Sequence, residues 1–333
     1  MSTFLDSCYR AIRLQESSLA AILNRELGQD LGVLSERPSI ILTGCGDSYA
    51  VAQFGFWCFQ SLGLRSLVLS PPEVERITLD DHWAVIGVTA SGRSLATLQS
   101  LTTAKSKGAL TIALTDAPEG AVSKVAEVIW HTDSHVESYD LSPSAPTTSA
   151  MAYLLNLAAH HPRVDTDIVR DTETLYERSK DVIAWAENRG NEIAETLQPL
   201  RPVYVISDGP NYVASQIGAM KLNEFSLFRG IAVLREEFKH HSVLSVENGD
   251  QVVLVTDTPS KKEDAAYLGV LSGKLGMKTY QLFTPNEMEI RTPLVQSIPN
   301  TIAFQMMAYR AVLKHRPEMS AFRKPHATAF KIY

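Results

Sequence analysis

Two short segments of the chain bring together residue types that hold anions. One is the turn Gly44-Cys45-Gly46-Asp47-Ser48, and the other is Thr89-Ala90-Ser91-Gly92-Arg93-Ser94. Each follows an apolar run and precedes a helical pattern, which predicts a junction between a buried strand and a helix. Glycines there let backbone N–H groups approach an anion, the helix N-terminus adds a favourable dipole, and hydroxyls donate further hydrogen bonds. The two segments therefore predict a phosphate site that needs no lysine.

The same residues have other interpretations. A dinucleotide fingerprint requires a third glycine at position 49 and an acid about 20 residues further on. The chain has Tyr49 and the apolar run 67–69 at those places, so the dinucleotide interpretation fails twice. Glycine turns also serve chain reversal alone, and Ser91 or Ser94 is a good N-cap residue for a helix. A phosphate loop and a purely structural turn both stay open.

Composition limits the class of partner. The 333 residues include 31 Lys and Arg against 37 Asp and Glu, a net charge of −6, which argues against nucleic acid or an anionic membrane. No apolar run reaches about 18 residues, so no transmembrane helix is expected. The N-terminus lacks the basic and apolar regions of a signal peptide. Three cysteines without CxxC spacing, Cys8, Cys45 and Cys58, favour a reducing compartment and a cytoplasmic protein.

The elements that must position these segments predict an α/β fold. Apolar runs alternate with helical patterns, and after residue 201 the order of strand, glycine turn and helix starts again. This order is typical of open parallel sheets with helices on both faces, which bind ligands beyond the carboxyl ends of their strands. We expect an N-terminal helical segment, a first domain, a helical connector, a second domain and a C-terminal tail, at 1–34, 35–164, 165–198, 199–315 and 316–333.

Motifs along residues 35–315 carry a resemblance to a known family. The turn at 44–48, the loop at 89–94 and the strand ending in Thr115-Asp116 resemble the sugar isomerase (SIS) domain. The segments 218–224 and 237–240 resemble the tandem-SIS proteins typified by the isomerase half of glutamine–fructose-6-phosphate amidotransferase. The resemblance implies two SIS domains, each a flavodoxin-like three-layer sandwich, in a homodimer with shared active sites.

The resemblance also implies roles for single residues. Glu224 is the base that moves a proton between C1 and C2 of a sugar phosphate, with Lys221 beside it, and His240 assists ring opening from the other subunit. The residues that bind the phosphate and the sugar are Gly46, Asp47, Ser48, Thr89, Ser91, Ser94, Ser144 and Lys331. No cofactor and no metal are implied.

Two of these assignments have alternatives in the residues themselves. Lys221 and Glu224 stand at i and i+3 on one helix, and without the resemblance such a pair is usually a solvated surface pair. The histidines His131 and His135 lack further ligands, so a metal site is not expected there.

The chain departs from the family pattern at several positions. Ala90 stands where the family has Gln, Arg93 stands where it has an acid, and Arg323, Lys324 or Lys331 could supply the C-terminal lysine contact. We expect a phosphosugar isomerase or an isomerising amino-sugar-phosphate deaminase. No glutaminase activity is expected, because fewer than about 40 residues precede the SIS part. A non-catalytic phosphosugar-binding regulator and a fructosamine-6-phosphate deglycase remain alternatives.

Overall fold

The chain divides into two compact units, each built on its own parallel sheet. The computed structural model describes residues 3–34, 37–139, 141, 144–225, 227–258, 261–322, 329–331 and 333. The five-strand unit comprises Leu14–Ser179 and Pro325–Tyr333, and the four-strand unit comprises Met1–Arg13 and Lys180–Lys324. The domain limits given above stay predictions.

The five-strand unit has the strand order β2-β1-β3-β4-β5, with every pair parallel. This is the order of flavodoxin-type sheets. All residues of β1 and all but the first of β3 and β4 are buried, as expected for central strands covered on both faces. The strands are β1 (Ser39–Thr43), β2 (Arg65–Val68), β3 (Trp83–Val88), β4 (Leu110–Thr115) and β5 (Val128–His131).

Helices cover both faces of this sheet. On one face Ile41 and Val85 pack with Val74 and Leu101 of the helices that follow β2 and β3. On the other face a Cβ at Gly55 would collide with the side chain of Leu42. The described helices of the unit are α2 (Gln15–Leu23), α3 (Gly28–Leu34), α4 (Asp47–Ser61), α5 (Pro71–Val74), α6 (Leu95–Ser106), α7 (Ala145–Ala159) and α8 (Thr166–Glu177), while α1 (Thr3–Arg13) belongs to the four-strand unit.

The four-strand unit repeats the topology of the first four strands. Its order is β7-β6-β8-β9, again with every pair parallel. Its strands are β6 (Pro202–Ser207), β7 (Arg229–Leu234), β8 (Gln251–Thr256) and β9 (Lys278–Phe283). Its further described helices are α9 (Ser179–Thr196), α10 (Asn211–Glu224), α11 (Arg235–His240), α12 (Lys261–Gly269), α13 (Pro285–Met288) and α14 (Pro293–His315).

Opposite faces of the four-strand sheet carry different helices. A Cβ at Gly230 of β7 would lie 2.5 Å from the carbonyl oxygen of Ala219, so α10 packs closely on the face to which Gly230 points. On the other face, the ring of Phe238 of α11 meets that of Tyr204 at 5.5 Å between centroids. Since side chains alternate between the two faces of a strand, α10 and α11 lie on opposite sides of this sheet. Among the described residues, no helix combines the length and hydropathy that a membrane span requires.

Candidate functional site

The two predicted anion-binding segments meet at the carboxyl edge of the five-strand sheet. Ser94 Oγ lies 3.6 Å from Cys45 Sγ and 3.2 Å from Thr97 Oγ1, and Thr97 Oγ1 lies 3.9 Å from Cys45 Sγ. The two segments follow β1 and β3, the neighbouring strands between which the strand order reverses. Such a reversal opens the crevice in which parallel α/β sheets bind their ligands. The segments are therefore placed together at the expected binding edge.

The helices that start in these segments have no side-chain caps. Gly46 is the N-cap residue of α4, with a φ of 57° that favours glycine. Ser94 is the N-cap residue of α6, and its hydroxyl makes no cap hydrogen bond. Ser94 thus occupies the N-cap position that the helix-cap interpretation gives it, but its side chain does not cap the helix. The first N–H groups of a helix lack the regular partner four residues earlier, and such termini favour anions. At α4 the N–H groups of Ser48 and Tyr49 already donate to the carbonyls of Cys45 and Gly46.

A third helix N-terminus is connected to the first. Ser144 is the N-cap residue of α7, is 2% exposed and makes no side-chain cap bond. In the first turn of α7, Thr147 donates a hydrogen bond of 3.1 Å from Oγ1 to Asp47 Oδ2. Asp47, which we expected to contact a substrate, thus connects α4 with α7. Ser48, the next residue of α4, is only partly buried.

The remaining predicted residues of this unit differ in accessibility. Thr89 is 3% exposed, and its backbone N–H donates to Leu114, which extends the sheet by one bond. Ser91 is partly buried, whereas Lys331 is exposed. The guanidinium carbon of Arg93 lies 5.4 Å from the ring centroid of Tyr333. Arg323 and Lys324 lie outside the described residues.

Asp116, the residue after β4, has a structural role. Asp116 is 8% exposed and accepts hydrogen bonds from Thr132 Oγ1, from the backbone N–H and Oγ of Ser134, and from Tyr139 Oη, at 2.6–3.1 Å. Burial, and next the negative charge of Asp116, raise the pKa of Tyr139, so this hydroxyl stays a donor. Asp116 thereby fixes the segment that follows β5.

Lys221 and Glu224 form a pair that is buried on one side. Lys221 Nζ lies 3.0 Å from Glu224 Oε1 and 3.1 Å from Oε2. The Lys221 side chain is 1% exposed, whereas that of Glu224 is 34% exposed. A buried ammonium requires a carboxylate partner, so the interpretation as a solvated surface pair is wrong for Lys221. Glu224 is the more exposed member of the pair.

His240 is not brought to this pair. Glu224 ends α10 and His240 ends α11, and these helices cover opposite faces of the four-strand sheet. The His240 side chain is 71% exposed, and its Nε2 lies 3.2 Å from Glu236 Oε1. Within one chain, therefore, His240 and Glu224 do not share a site.

Sequence reasoning missed two hydroxyls at the loops. Thr97 is fully buried and contacts both Ser94 and Cys45, and Thr147 binds Asp47. The signal for Thr97 was its position three residues after Ser94, the spacing of a capping box in the first turn of a helix. For Thr147 no sequence signal indicated a contact with Asp47, because the two residues are 100 positions apart.

Possible metal ligands lie elsewhere. In the described part of the chain, Asp80, Asp81 and His82 place ligand atoms within 4.8 Å of one another, and all three are exposed. They precede β3 and so lie at the amino edge of the sheet, away from the loops. His135 pairs with Asp133 at 3.1 Å. None of these residues touches the loops at 44–48 and 89–94 in a described contact.

Comparisons with known proteins agree with the fold. Residues 33–161 match the family model of the SIS domain, which lies within the five-strand unit. The sequence predicted two SIS domains, and this match shows one. Over 307 residues the chain is 26% identical to "Glutamine--fructose-6-phosphate aminotransferase [isomerizing]" of Pyrococcus horikoshii, which covers 86% of this chain and 51% of that protein. The chain thus spans about half the length of this relative.

Solved structures share the architecture at low identity. The C-terminal domain of glucosamine-fructose-6-phosphate aminotransferase from Francisella tularensis has a TM-score of 0.78 at 18% identity, covering 92% of this chain and 95% of that chain. Tagatose-6-phosphate ketose/aldose isomerase from Escherichia coli has a TM-score of 0.76 at 16% identity, covering 93% of each chain. At these identities the likeness shows the fold alone.

Proposed function

We propose that the chain binds a sugar phosphate of the hexose 6-phosphate class and moves a proton between C1 and C2 of its open-chain form. The observation that carries the proposal is the pair of loops at 44–48 and 89–94, which meet at the strand-order reversal of the five-strand sheet. Both loops lead into helices without side-chain caps. Two helix N-termini with nearby hydroxyls suit a phosphate group in a chain whose net charge is −6.

The proposed base is Glu224. Proton transfer between two neighbouring carbons requires a carboxylate that is held in place and still open to the substrate. Lys221 holds both Glu224 oxygens from its buried side, and a third of the carboxylate side chain stays exposed. We assign ring opening to His240 of the partner subunit in a homodimer, and the four-strand unit to a second SIS domain on the basis of its strand order.

The products formed distinguish an isomerase from a deaminase. The relatives' names point to ketose–aldose isomerisation and to amino-sugar phosphates, so both belong in the same test. The assay is a panel of fructose 6-phosphate, tagatose 6-phosphate and glucosamine 6-phosphate, followed for conversion between ketose and aldose, for ammonia release and for solvent deuterium at C2 of the aldose. Ammonia release supports the deaminase, and its absence with deuterium exchange supports the isomerase.

The decisive variant is Glu224→Gln, which keeps shape and polarity but accepts no proton. Turnover and deuterium exchange are expected to fall by about 10²–10⁴-fold, with binding within a few-fold of wild type. Glu192→Gln is the matched control, because Glu192 also pairs with a cation at i,i+3 spacing, here Arg189 at 2.7 Å. Exchange at the wild-type rate in Glu224→Gln would exclude Glu224 as the base. Binding without turnover in the wild type would instead support the alternative of a non-catalytic phosphosugar-binding regulator.

A further inference from the structure

Thr97, a residue without an assigned role, lies behind the hydroxyl of Ser94. It is the third residue of α6, is fully buried and donates a hydrogen bond of 3.2 Å from Oγ1 to Ser94 Oγ. Ser94 Oγ in turn donates to Cys45 Sγ at 3.6 Å. The three side chains form a triangle, closed by the 3.9 Å contact between Thr97 Oγ1 and Cys45 Sγ, in which Ser94 lies between the buried hydroxyl and the exposed thiol.

The direction of the hydrogen bond from Thr97 to Ser94 determines where the Ser94 hydroxyl hydrogen points. A serine hydroxyl has one hydrogen and two lone pairs, and in an ordinary N-cap one lone pair accepts a backbone N–H of the helix. Here no such bond forms, and the hydrogen bond from Thr97 takes up a lone pair instead. The hydrogen of Ser94 is thereby directed away from Thr97, toward an acceptor outside the helix.

The present acceptor is a weak one. A thiol sulfur accepts hydrogen bonds poorly, whereas a phosphate oxygen accepts a charge-assisted bond of about twice the strength of a neutral one. A phosphate oxygen is therefore a stronger acceptor for the Ser94 hydroxyl than Cys45 Sγ, and accepting it does not require Thr97 to move.

We infer that Thr97 is a positioning residue that orients the Ser94 hydroxyl for a phosphate group. This inference rests on the proposed function, since it assumes that Ser94 donates to the phosphate. It predicts that Thr97 acts on binding only through Ser94, which a double-mutant cycle measures directly.

The experiment is a titration of fructose 6-phosphate into the full chain by calorimetry. Ser94→Ala is expected to weaken binding by about 10- to 100-fold, and Thr97→Val, which removes the donor at nearly constant volume, by about three- to tenfold. Thr97→Ser keeps the donor and is expected to restore binding to near the wild-type value. In a Ser94→Ala background, Thr97→Val is expected to add less than about twofold.

Thr102→Val is the matched control, because Thr102 lies on the same helix, is exposed and bonds only the carbonyl of Leu98 in the described contacts. It is expected to bind like wild type. A merely structural role for Thr97 would weaken binding equally in both backgrounds, and that result would overturn the inference. Wild-type affinity in Thr97→Val, with weak binding in Ser94→Ala, would overturn it too. No binding of fructose 6-phosphate, tagatose 6-phosphate or glucosamine 6-phosphate by the wild type would instead contradict the proposed function.

Discussion

Cys45 is the exposed thiol among the three cysteines, since Cys8 and Cys58 are buried. Burial also raises the pKa of Cys58 far above its ordinary value, which keeps that thiol protonated and unreactive. Cys45 lies 3.6 Å from Ser94 Oγ, so a phosphate group held by Ser94 covers it. The chain therefore has a chemical probe within its own proposed phosphate site.

We predict that one thiol per chain reacts rapidly with a disulfide reagent such as Ellman's reagent, and that saturating fructose 6-phosphate slows this reaction by about tenfold or more, because only the exposed thiolate attacks. The measurement is the release of the coloured thiolate with time. Cys45→Ser is the control and is expected to lose the fast phase. An equal rate with and without the sugar phosphate, at concentrations that calorimetry shows to be saturating, would place the phosphate elsewhere.

The helices of the five-strand unit begin in two different ways. At α8, the N-cap residue Asp165 accepts a hydrogen bond of 2.9 Å from the backbone N–H of Asp167. At α6, the N-cap residue Ser94 makes no such bond. The N-cap side chain therefore stabilises the start of α8, whereas the N-cap side chain of α6 makes no hydrogen bond to its helix.

We predict that Asp165→Ala lowers the free energy of unfolding by about 1 kcal/mol, the usual cost of a lost N-cap. Ser94→Ala is expected to change it by less than about 0.5 kcal/mol, because no cap bond is lost and the buried Thr97 hydroxyl, which loses Ser94 Oγ, still has Cys45 Sγ at 3.9 Å as an acceptor. Urea unfolding of both variants without sugar phosphate measures the difference. Equal losses in the two variants would mean that Ser94 caps α6 after all.

Much at this scale could be predicted from the sequence. The central strands are nearly continuous apolar runs, and the glycines and hydroxyls after β1 and β3 located the loops. The burial of Lys221 could not be predicted, since spacing along one helix does not show what covers it. β7 is an edge strand in which most residues are exposed or only partly buried, so its sequence gives only a weak hydrophobic pattern for predicting a strand. The faces occupied by α10 and α11, which separate Glu224 from His240, follow from the sheet and not from any local pattern.

At the scale of the whole molecule, the separation of Glu224 and His240 bears on assembly. If both residues act on one substrate, His240 must come from another copy of the chain, because α10 and α11 lie on opposite faces of one sheet. The simplest assembly that supplies it is a two-fold dimer, which has two equivalent shared sites. The homodimer and the cytoplasmic location stay predictions.

We predict that Glu224→Gln and His240→Ala are each inactive, and that exchanged mixtures of the two regain about a quarter of the wild-type activity, because half of the dimers then have one intact site. The test mixes the two variants under conditions in which labelled subunits are shown to exchange. Mixtures that stay inactive despite exchange would contradict a shared site, as would a fully active monomer in a mass measurement.

The uncapped N-termini of α4, α6 and α7 have a thermodynamic consequence. A missing side-chain cap forgoes about 0.5–2 kcal/mol of folding free energy. A ligand that binds only the native state returns such free energy by mass action, so resistance to unfolding rises with its concentration. Substitutions that gave these helices side-chain caps would make the empty protein harder to unfold. They would also weaken anion binding, because the new caps would occupy the same N–H groups. The stability of the empty protein and its affinity for an anion therefore depend on the same backbone N–H groups, so a substitution that raises one lowers the other.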